Sequence, residues 1–350
     1  MNTTLALAPL SALYGAAVRA RLALYRGGAL RQERAGAPVI SVGNITAGGT
    51  GKTPLVEWVA RAVAREGRRP CVLTRGYGRR DERARVVVSD GERLLADADE
   101  AGDEPRMLAE KLLGAASVVS DADRAAAARW ALENLRAQAF VMDDGFQHLR
   151  LARDLDVVTI DATSPWGGGH LLPRGRLREP RRGLRRADCV VITRARLAGD
   201  AAARALREEV SRLCGGAALV VEARARTTGL RPLAAADGSE FVSASGVRPV
   251  AAFCAVGNPR AFFEHLRRDG QEPVLTRAFT DHHSYTQSDL DSLARAAAEA
   301  GARSLLTTAK DAVKLRRLST KLPVYVVEIA LEFDEEVKLL ELVRGALAKG

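Results

Sequence analysis

The chain has 350 residues, with 53 Lys and Arg against 43 Asp and Glu, a net charge of +10, 47% hydrophobic and 5% aromatic residues. That length exceeds what one ordinary core needs and makes two domains the starting expectation, while the balance excludes a disordered or largely membrane-embedded chain. Excess arginine suits phosphate groups, anionic membrane surfaces and nucleic acid alike, and also reflects a GC-rich genome, so charge alone selects no partner.

No charged side chain occurs from Met1 to Val18, and Arg19, Arg21, Arg26 and Arg31 follow with no acid among them. A secretory signal carries its positive charge before the apolar run, so export is not expected. Pro9, Ser11 and Gly15 interrupt a run barely long enough to span, which argues against a transmembrane helix. Leu10, Leu13, Tyr14, Ala17 and Val18 share a helical face, which fits either a helix lying on a membrane surface or a first helix packed on its own domain.

Short β-branched runs then alternate with alanine- and leucine-rich helical stretches, the pattern of a parallel sheet covered by helices. Strands are expected at 38–42, 70–74, 116–120, 139–143, 156–160, 188–193 and 217–223. A polar, glycine-containing stretch from Arg226 to Gly246 breaks the alternation and marks a boundary. A smaller α/β unit follows, with a strand from Val250, a helix at 260–268 and a strand at 304–308. A final strand at 323–333 pairs with 217–231 as a connecting ribbon, and the last helix returns to the first domain. The expected class is α/β, a P-loop NTPase-type mostly parallel sheet with helices on both faces plus a second smaller α/β domain joined by a β-ribbon linker. The corresponding divisions are 1–225, 226–248, 249–318 and 319–350. Cys71, Cys189, Cys214 and Cys254 are widely spaced, without zinc or disulfide patterning, and read as buried thiols in a reducing compartment.

Between the strand at 38–42 and a helix beginning near Pro54 lies Asn44-Ile-Thr46-Ala47-Gly48-Gly49-Thr50-Gly51-Lys52-Thr53. Glycines there let backbone N–H groups turn around a polyphosphate, Lys52 reaches the transferred phosphate and the Thr53 hydroxyl binds Mg2+. Thr46 stands where the general pattern has its first glycine. The strand at 139–143 ends in Asp143-Asp144, carboxylates at the sheet edge where open α/β folds bind ligands and where a P-loop enzyme holds its metal. A guanine-reading [NT]-K-x-D motif is absent, since Thr308-Ala309-Lys310-Asp311 has Lys and Asp adjacent, and Ala47 replaces the extra lysine of partitioning ATPases. ATP is therefore the expected nucleotide. No aromatic-studded basic strand or recognition helix supports nucleic acid.

Seven blocks then converge: Ser41-Val-Gly-Asn-Ile-Thr-Ala-Gly-Gly-Thr-Gly-Lys-Thr-Pro, Thr74-Arg-Gly-Tyr-Gly-Arg, Gly102-Asp-Glu-Pro, Asp143-Asp-Gly-Phe-Gln-His, Leu171-Leu-Pro-Arg-Gly-Arg-Leu-Arg-Glu-Pro, Asp281-His-His and Thr307-Thr-Ala-Lys-Asp-Ala-Val-Lys. Together they resemble the tetraacyldisaccharide 4′-kinase family across nearly the whole chain, and Thr46 is also what that family shows. The resemblance implies ATP-dependent phosphorylation of the 4′-hydroxyl of an acylated disaccharide 1-phosphate in lipid A biosynthesis. It also implies an enzyme on the cytoplasmic face of a Gram-negative inner membrane, held there by its N-terminal helix, with no nucleic acid or protein partner.

A sugar hydroxyl is a poor nucleophile, so such a kinase needs a carboxylate to take its proton and cations to hold the γ-phosphate. The resemblance points to Asp103 as base with a histidine of Asp281-His282-His283 as its partner, His282 being the choice. Lys52 and Asp144 complete the catalytic set. Thr53, Asp143 and Asp144 are the Mg2+ candidates, with Glu104 as a further contributor. Asn44, Gln147, His148, Arg178 and Glu179 are the substrate contacts expected. Arg181, Arg182, Arg185 and Arg186 read as surface charge, and Lys310 with Asp311 as stabilisers of a strand-to-helix turn.

Overall fold

A computed structural model describes residues 7–233 and 241–349. The first six residues of the uncharged N-terminal stretch, residues 234–240 of the expected linker and residue 350 lie outside the described residues. Twelve strands form one sheet in the order β10-β9-β11-β12-β8-β7-β6-β1-β5-β2-β4-β3. They are β1 (Val39–Asn44), β2 (Pro70–Thr74), β3 (Val86–Ser89), β4 (Ser117–Ser120), β5 (Ala139–Asp143), β6 (Leu155–Asp161), β7 (Cys189–Thr193), β8 (Leu219–Pro232), β9 (Val250–Cys254), β10 (Leu275–Ala278), β11 (Ser304–Thr308) and β12 (Val324–Phe333). All neighbours are parallel except β3 with β4 and β12 with β8.

The strand sequences are apolar on both faces because both faces are covered. Ile40, Val72 and Val141 point into one core with Leu55, Val56 and Val59 of helix α1 (Lys52–Arg65), whereas Val39, Cys71, Phe140 and Met142 point into another under Ala125 and Ala128. Helix α2 (Glu336–Leu347) returns at the chain's end and buries Leu339 and Val343 in the same core as α1. All four cysteines are buried free thiols.

The two edge strands, β3 and β10, are absent from the expectation. Both are four residues long; β10 (Leu-Thr-Arg-Ala) carries little apolar signal, whereas β3 (Val-Val-Val-Ser) is a short apolar run that the expectation passed over. The polar stretch that suggests a boundary at Arg226 begins as strand. β8 continues through Pro232, antiparallel to β12, and its arginines meet acids across the ribbon: Arg226 with Glu332 at 2.6 Å and Arg231 with Glu328 at 3.1 Å. The first part of this polar stretch is one strand of the ribbon expected between 217–231 and 323–333.

The first described helix, Ala8–Arg26, packs its small polar side inward. Ser11 donates to the Leu171 carbonyl (2.8 Å), Tyr14 to that of Arg178 (2.8 Å), and Gly15 lies against Leu171. Leu10 and Leu13 are exposed by 55% and 69%. The face expected from spacing is therefore split: Tyr14 turns to the body of the protein and the leucines turn away from it. Among the described residues no helix is long and apolar enough to cross a membrane.

Gly43, in β1 one residue before Asn44, is a close approach: a Cβ there would lie 2.6 Å from the Phe146 Cβ and 2.7 Å from the Phe146 nitrogen. Overpacking of this kind costs about 1–3 kcal/mol. Gly43→Ala is expected to lose that much stability in urea unfolding, and an unchanged midpoint would show that the segment after β5 yields freely.

Candidate active site

The loop after β1 is shaped by its own side chains. Gly48 and Gly51 have φ of +114° and +84°, a region that favours glycine, and Gly51 caps α1. Asn44 is fully buried and its amide donates to the Thr46 carbonyl (2.6 Å) and the Thr50 hydroxyl (3.0 Å), while Thr50 also pairs with Thr159 (2.7 Å). Thr46, buried, bridges to Leu177. Ala47 N donates to Arg176 O (2.7 Å) and Arg178 N to Ile45 O (2.8 Å). Residues 45–47 and 176–178 are thereby zipped together, which carries Arg178 to the end of β5.

Ala47 to Thr53 line a cavity of about 920 Å³, together with Asp103, Glu104, Asp143, Asp144, Arg178, His282 and Lys310. Asp144, at φ +52°, receives both its oxygens' bonds from Arg178 Nη1 (2.6 and 2.8 Å) and faces Lys52 Nζ at 3.5 Å. Burial opposes its ionisation, but Lys52 and Arg178 overcome this and hold the carboxyl below its ordinary value. Asp143 has no such partner; Thr74 donates to it at 3.3 Å. Burial, with Glu104 and Asp144 adding like charge, pushes it up to about 7. Buried Arg124, a residue the sequence reading missed, sets its charge against both acids.

On the opposite wall, Asp103 opens helix α3 (Asp103–Lys111) behind Gly102, which has φ +95°. His282 Nδ1 lies 3.9 Å from Asp103 Oδ2, and His282 itself has φ +62°. His283 is committed elsewhere: its Nε2 pairs with Asp289 at 3.1 Å and its ring stacks on Phe279. Lys314 Nζ sits 3.0 Å from Asp103 Oδ2 and Lys310 Nζ 2.8 Å from Glu104 Oε1. Burial disfavours the Lys310 ammonium, but Glu104 and Asp281 more than offset it and raise its pKa.

Several expected contacts are placed differently. Glu104 faces Lys310 rather than standing free for a metal. Of the expected substrate contacts only Arg178 lines the cavity. Asn44 is a brace of the loop. Gln147 Nε2 donates to Asn44 O (2.9 Å) and Glu179 Oε1 (2.7 Å), and buried Glu179 pairs with Arg186 (2.9 Å). His148 is largely buried, and burial with Arg124 pulls it down to about 4. Asn44, Gln147 and Glu179 thus brace the loop from beneath with bonds inside the protein, whereas His148 shares none of these bonds. Arg186 is accordingly no surface charge: it lies over the Phe146 ring at 4.3 Å, while Arg182 and Arg185 are exposed. Other wall groups carried no sequence signal that isolates them. Arg176 presses on Gly48, Arg194 donates to Gly49 O (2.8 Å), and Gly257 approaches Gly49.

The family model described as Tetraacyldisaccharide-1-P 4'-kinase matches residues 3–348. A tetraacyldisaccharide 4'-kinase of Anaeromyxobacter sp. (strain Fw109-5) is 46% identical over 360 aligned residues, covering 98% of this chain and 92% of its own length. One of Geobacter metallireducens is 42% identical over 328 residues and covers 93% of each. Among solved structures, the "apo" form of LpxK from Aquifex aeolicus in complex with ATP matches with a TM-score of 0.79 at 30% identity, over 99% of this chain and 100% of that one. With nearly every residue inside the match, the chain belongs to the tetraacyldisaccharide-1-P 4'-kinase family.

Proposed function

We propose that this cleft uses Asp103 as the proton acceptor in the family's reaction. The chain is a kinase of lipid A biosynthesis: ATP phosphorylates the 4′-hydroxyl of tetraacyldisaccharide 1-phosphate to give lipid IVA. The observation that carries the assignment of roles is the single cavity shared by the phosphate loop, the Asp143-Asp144 pair and the Asp103–His282 pair. In the transfer the sugar oxygen bonds to the γ-phosphorus, the bond to the β,γ-bridging oxygen breaks, ADP leaves and the hydroxyl proton passes to Asp103. Backbone N–H groups of 48–52 and Lys52 hold the phosphates. Arg178 neutralises Asp144 and, reached by the triphosphate, shares its charge with the transferred group.

Among the described residues no cluster of three His, Cys, Asp or Glu side chains is suited to hold a metal by itself. Mg2+ does not need one, since it takes one or two carboxylates plus phosphate oxygens and keeps its waters. Thr53 and Asp143, with Asp144, fit that role, because Asp143 is the carboxyl that makes no ion pair. Held by these residues, the ion would supply charge neutralisation for the phosphates. We also assign the exposed Leu10 and Leu13, followed by Arg19, Arg21 and Arg26, to contact with an anionic membrane surface, consistent with the cytoplasmic side of the inner membrane. The domain division at 1–225 and 249–318 places Asp103 and His282 on opposite parts, and we propose that their approach completes the site.

Three outcomes are expected. Lys52→Ala and Asp103→Ala each lower transfer of labelled γ-phosphate to detergent-solubilised acceptor by about 100-fold or more; lipid-independent hydrolysis with no labelled acceptor would replace the kinase by an ATPase. Leu10→Asp combined with Leu13→Asp lowers binding to vesicles containing anionic lipid while leaving activity on detergent-dispersed substrate, and undiminished flotation would remove the helix from the membrane. The third outcome concerns Asp143. Because its folded-state pKa is raised, the folded protein binds the extra proton, so this carboxyl's contribution is intact below about pH 4 and lost as pH rises to about 7. Asp143→Asn in ligand-free protein should therefore melt higher than wild type at pH 8, with the difference closing by pH 4, and parallel melting curves at both pH values would refute the assignment.

A further inference from the structure

The segment Thr307 to Lys314 does more than stabilise a turn. Helix α4 (Ala309–Leu315) leaves β11 with Thr308 as its cap. Asp311, fully buried, accepts from Ala255 N (3.1 Å), the Tyr285 hydroxyl (3.1 Å) and the Thr308 hydroxyl (2.6 Å). The start of the helix is thus fixed from three directions. Lys310 and Lys314, four residues apart, share one helix face and both meet the start of α3.

Lys310 Nζ has three acceptors around it: Glu104 Oε1 at 2.8 Å, His282 Nε2 at 3.3 Å and Asp281 Oδ1 at 3.4 Å. An ammonium has three donors and no acceptor, so all three partners must accept. In a neutral imidazole one nitrogen accepts and the other carries the proton. If Nε2 accepts from Lys310, the proton sits on Nδ1, which is the nitrogen facing Asp103 at 3.9 Å. Lys314, from the same face, fixes the other member of the pair by its bond to Asp103 Oδ2 and donates as well to the His283 carbonyl at 3.1 Å. The Asp281 carboxylate also accepts from the His282 backbone nitrogen at 3.1 Å, which ties the strained His282 backbone to the same ammonium.

We propose that Lys310 is a positioning residue for phosphoryl transfer: it fixes His282 as the Nδ1-protonated tautomer facing Asp103, while Lys314 holds Asp103 in place. The inference rests on the reading of Asp103 and His282 as the proton-accepting pair. Lys310 acts through His282 and not on the phosphate, because its three donors are already taken by groups on the far wall from the loop.

The test is a long-range 1H–15N correlation spectrum of histidine-labelled full-length protein, with His282 assigned by His282→Gln. Wild type is expected to show the Nδ1–H tautomer, Lys310→Met to shift to Nε2–H, and Lys310→Arg to keep Nδ1–H. In kinetics, Lys310→Met should lower kcat by about 10- to 100-fold with KM for ATP little changed, Lys310→Arg should restore much of the loss, and Lys310→Met in the His282→Ala background should add almost nothing. An Nε2–H tautomer in the wild-type protein overturns the proposal without any variant, which covers the case that Lys310→Met does not fold. So does an equal loss in both backgrounds. Should Asp103→Ala retain full kinase activity, the reading of the pair fails instead, and the wild-type tautomer still decides the role of Lys310.

Discussion

Asp103, Glu104, Asp143 and Asp144 are among the carboxylates that face one cavity, and the surrounding structure is arranged to balance them. Like charges crowded in a partly buried cleft repel strongly, so each needs a cation or must give up its charge. Asp144 has Lys52 and Arg178, Asp103 has Lys314 and Glu104 has Lys310. Those cations come from the phosphate loop's helix, from the strand-like segment zipped against the loop, and from the helix after β11. Asp143 alone of the four makes no ion pair, and burial, with Glu104 and Asp144 adding like charge, outweighs Lys52 and Arg124 and raises its pKa. Its deficit lies beside Thr53 and the loop, where a triphosphate brings still more negative charge. The Mg2+ proposed for this wall would offset that charge, whereas the carboxylates of the opposite wall already face lysines.

The sheet decides which cations can reach. β1, β5 and β2 are parallel neighbours, so their carboxyl ends bring the loop, Asp143-Asp144 and Thr74 to one edge. The second parallel set, β10-β9-β11-β12, is attached through the single antiparallel pairing of β12 with β8. That reversal points the ends of β9 and β11 back over the phosphate loop, which is how Gly257 comes against Gly49 and how Lys310 and Lys314 come against α3. Lys111 reinforces the junction by meeting Glu57 of α1 at 3.4 Å and Glu328 of β12 at 2.8 Å. Burial penalises that ammonium, and the two glutamates more than offset it, leaving its pKa raised.

Much of this was legible in the sequence, and what was not has a consistent cause. The phosphate loop and the Asp143-Asp144 turn read directly because they lie within single strand–turn units, where spacing is set by local geometry. The ribbon was visible as a long apolar strand at 323–333 with a partner at 217–231, although the partner's polar residues also suggested a boundary at Arg226, since Arg226 and Arg231 face acids on β12 and not the core. Asn44, Gln147 and Glu179 were singled out for polarity beside the loop, but polarity does not reveal whether a side chain's donors are free. Here the Asn44 amide is taken by Thr46 and Thr50, and that of Gln147 by Asn44 O and Glu179. Lys310 and Lys314 were hidden for the opposite reason: their partners stand about 200 residues away in α3, and only the folded sheet brings the two segments together.

Backbone strain marks the same two walls. Among the described residues the non-glycine positions with positive φ are Arg136, Asp144, Arg194 and His282, and three of these line the cavity. A left-handed conformation outside glycine costs roughly 1–3 kcal/mol and survives only where surrounding bonds over-determine it. Asp144 is held by Arg178 and faces Lys52, Arg194 by Gly49 O and Asp161, and His282 by Asp281 and Lys310. In each case the strained residue bonds a group on another element. The strain is therefore maintained by the assembled cleft, not by the local turn. A substitution that removes a holding cation has two effects: it unbalances a carboxylate and it frees a backbone that prefers to relax away from the reacting atoms.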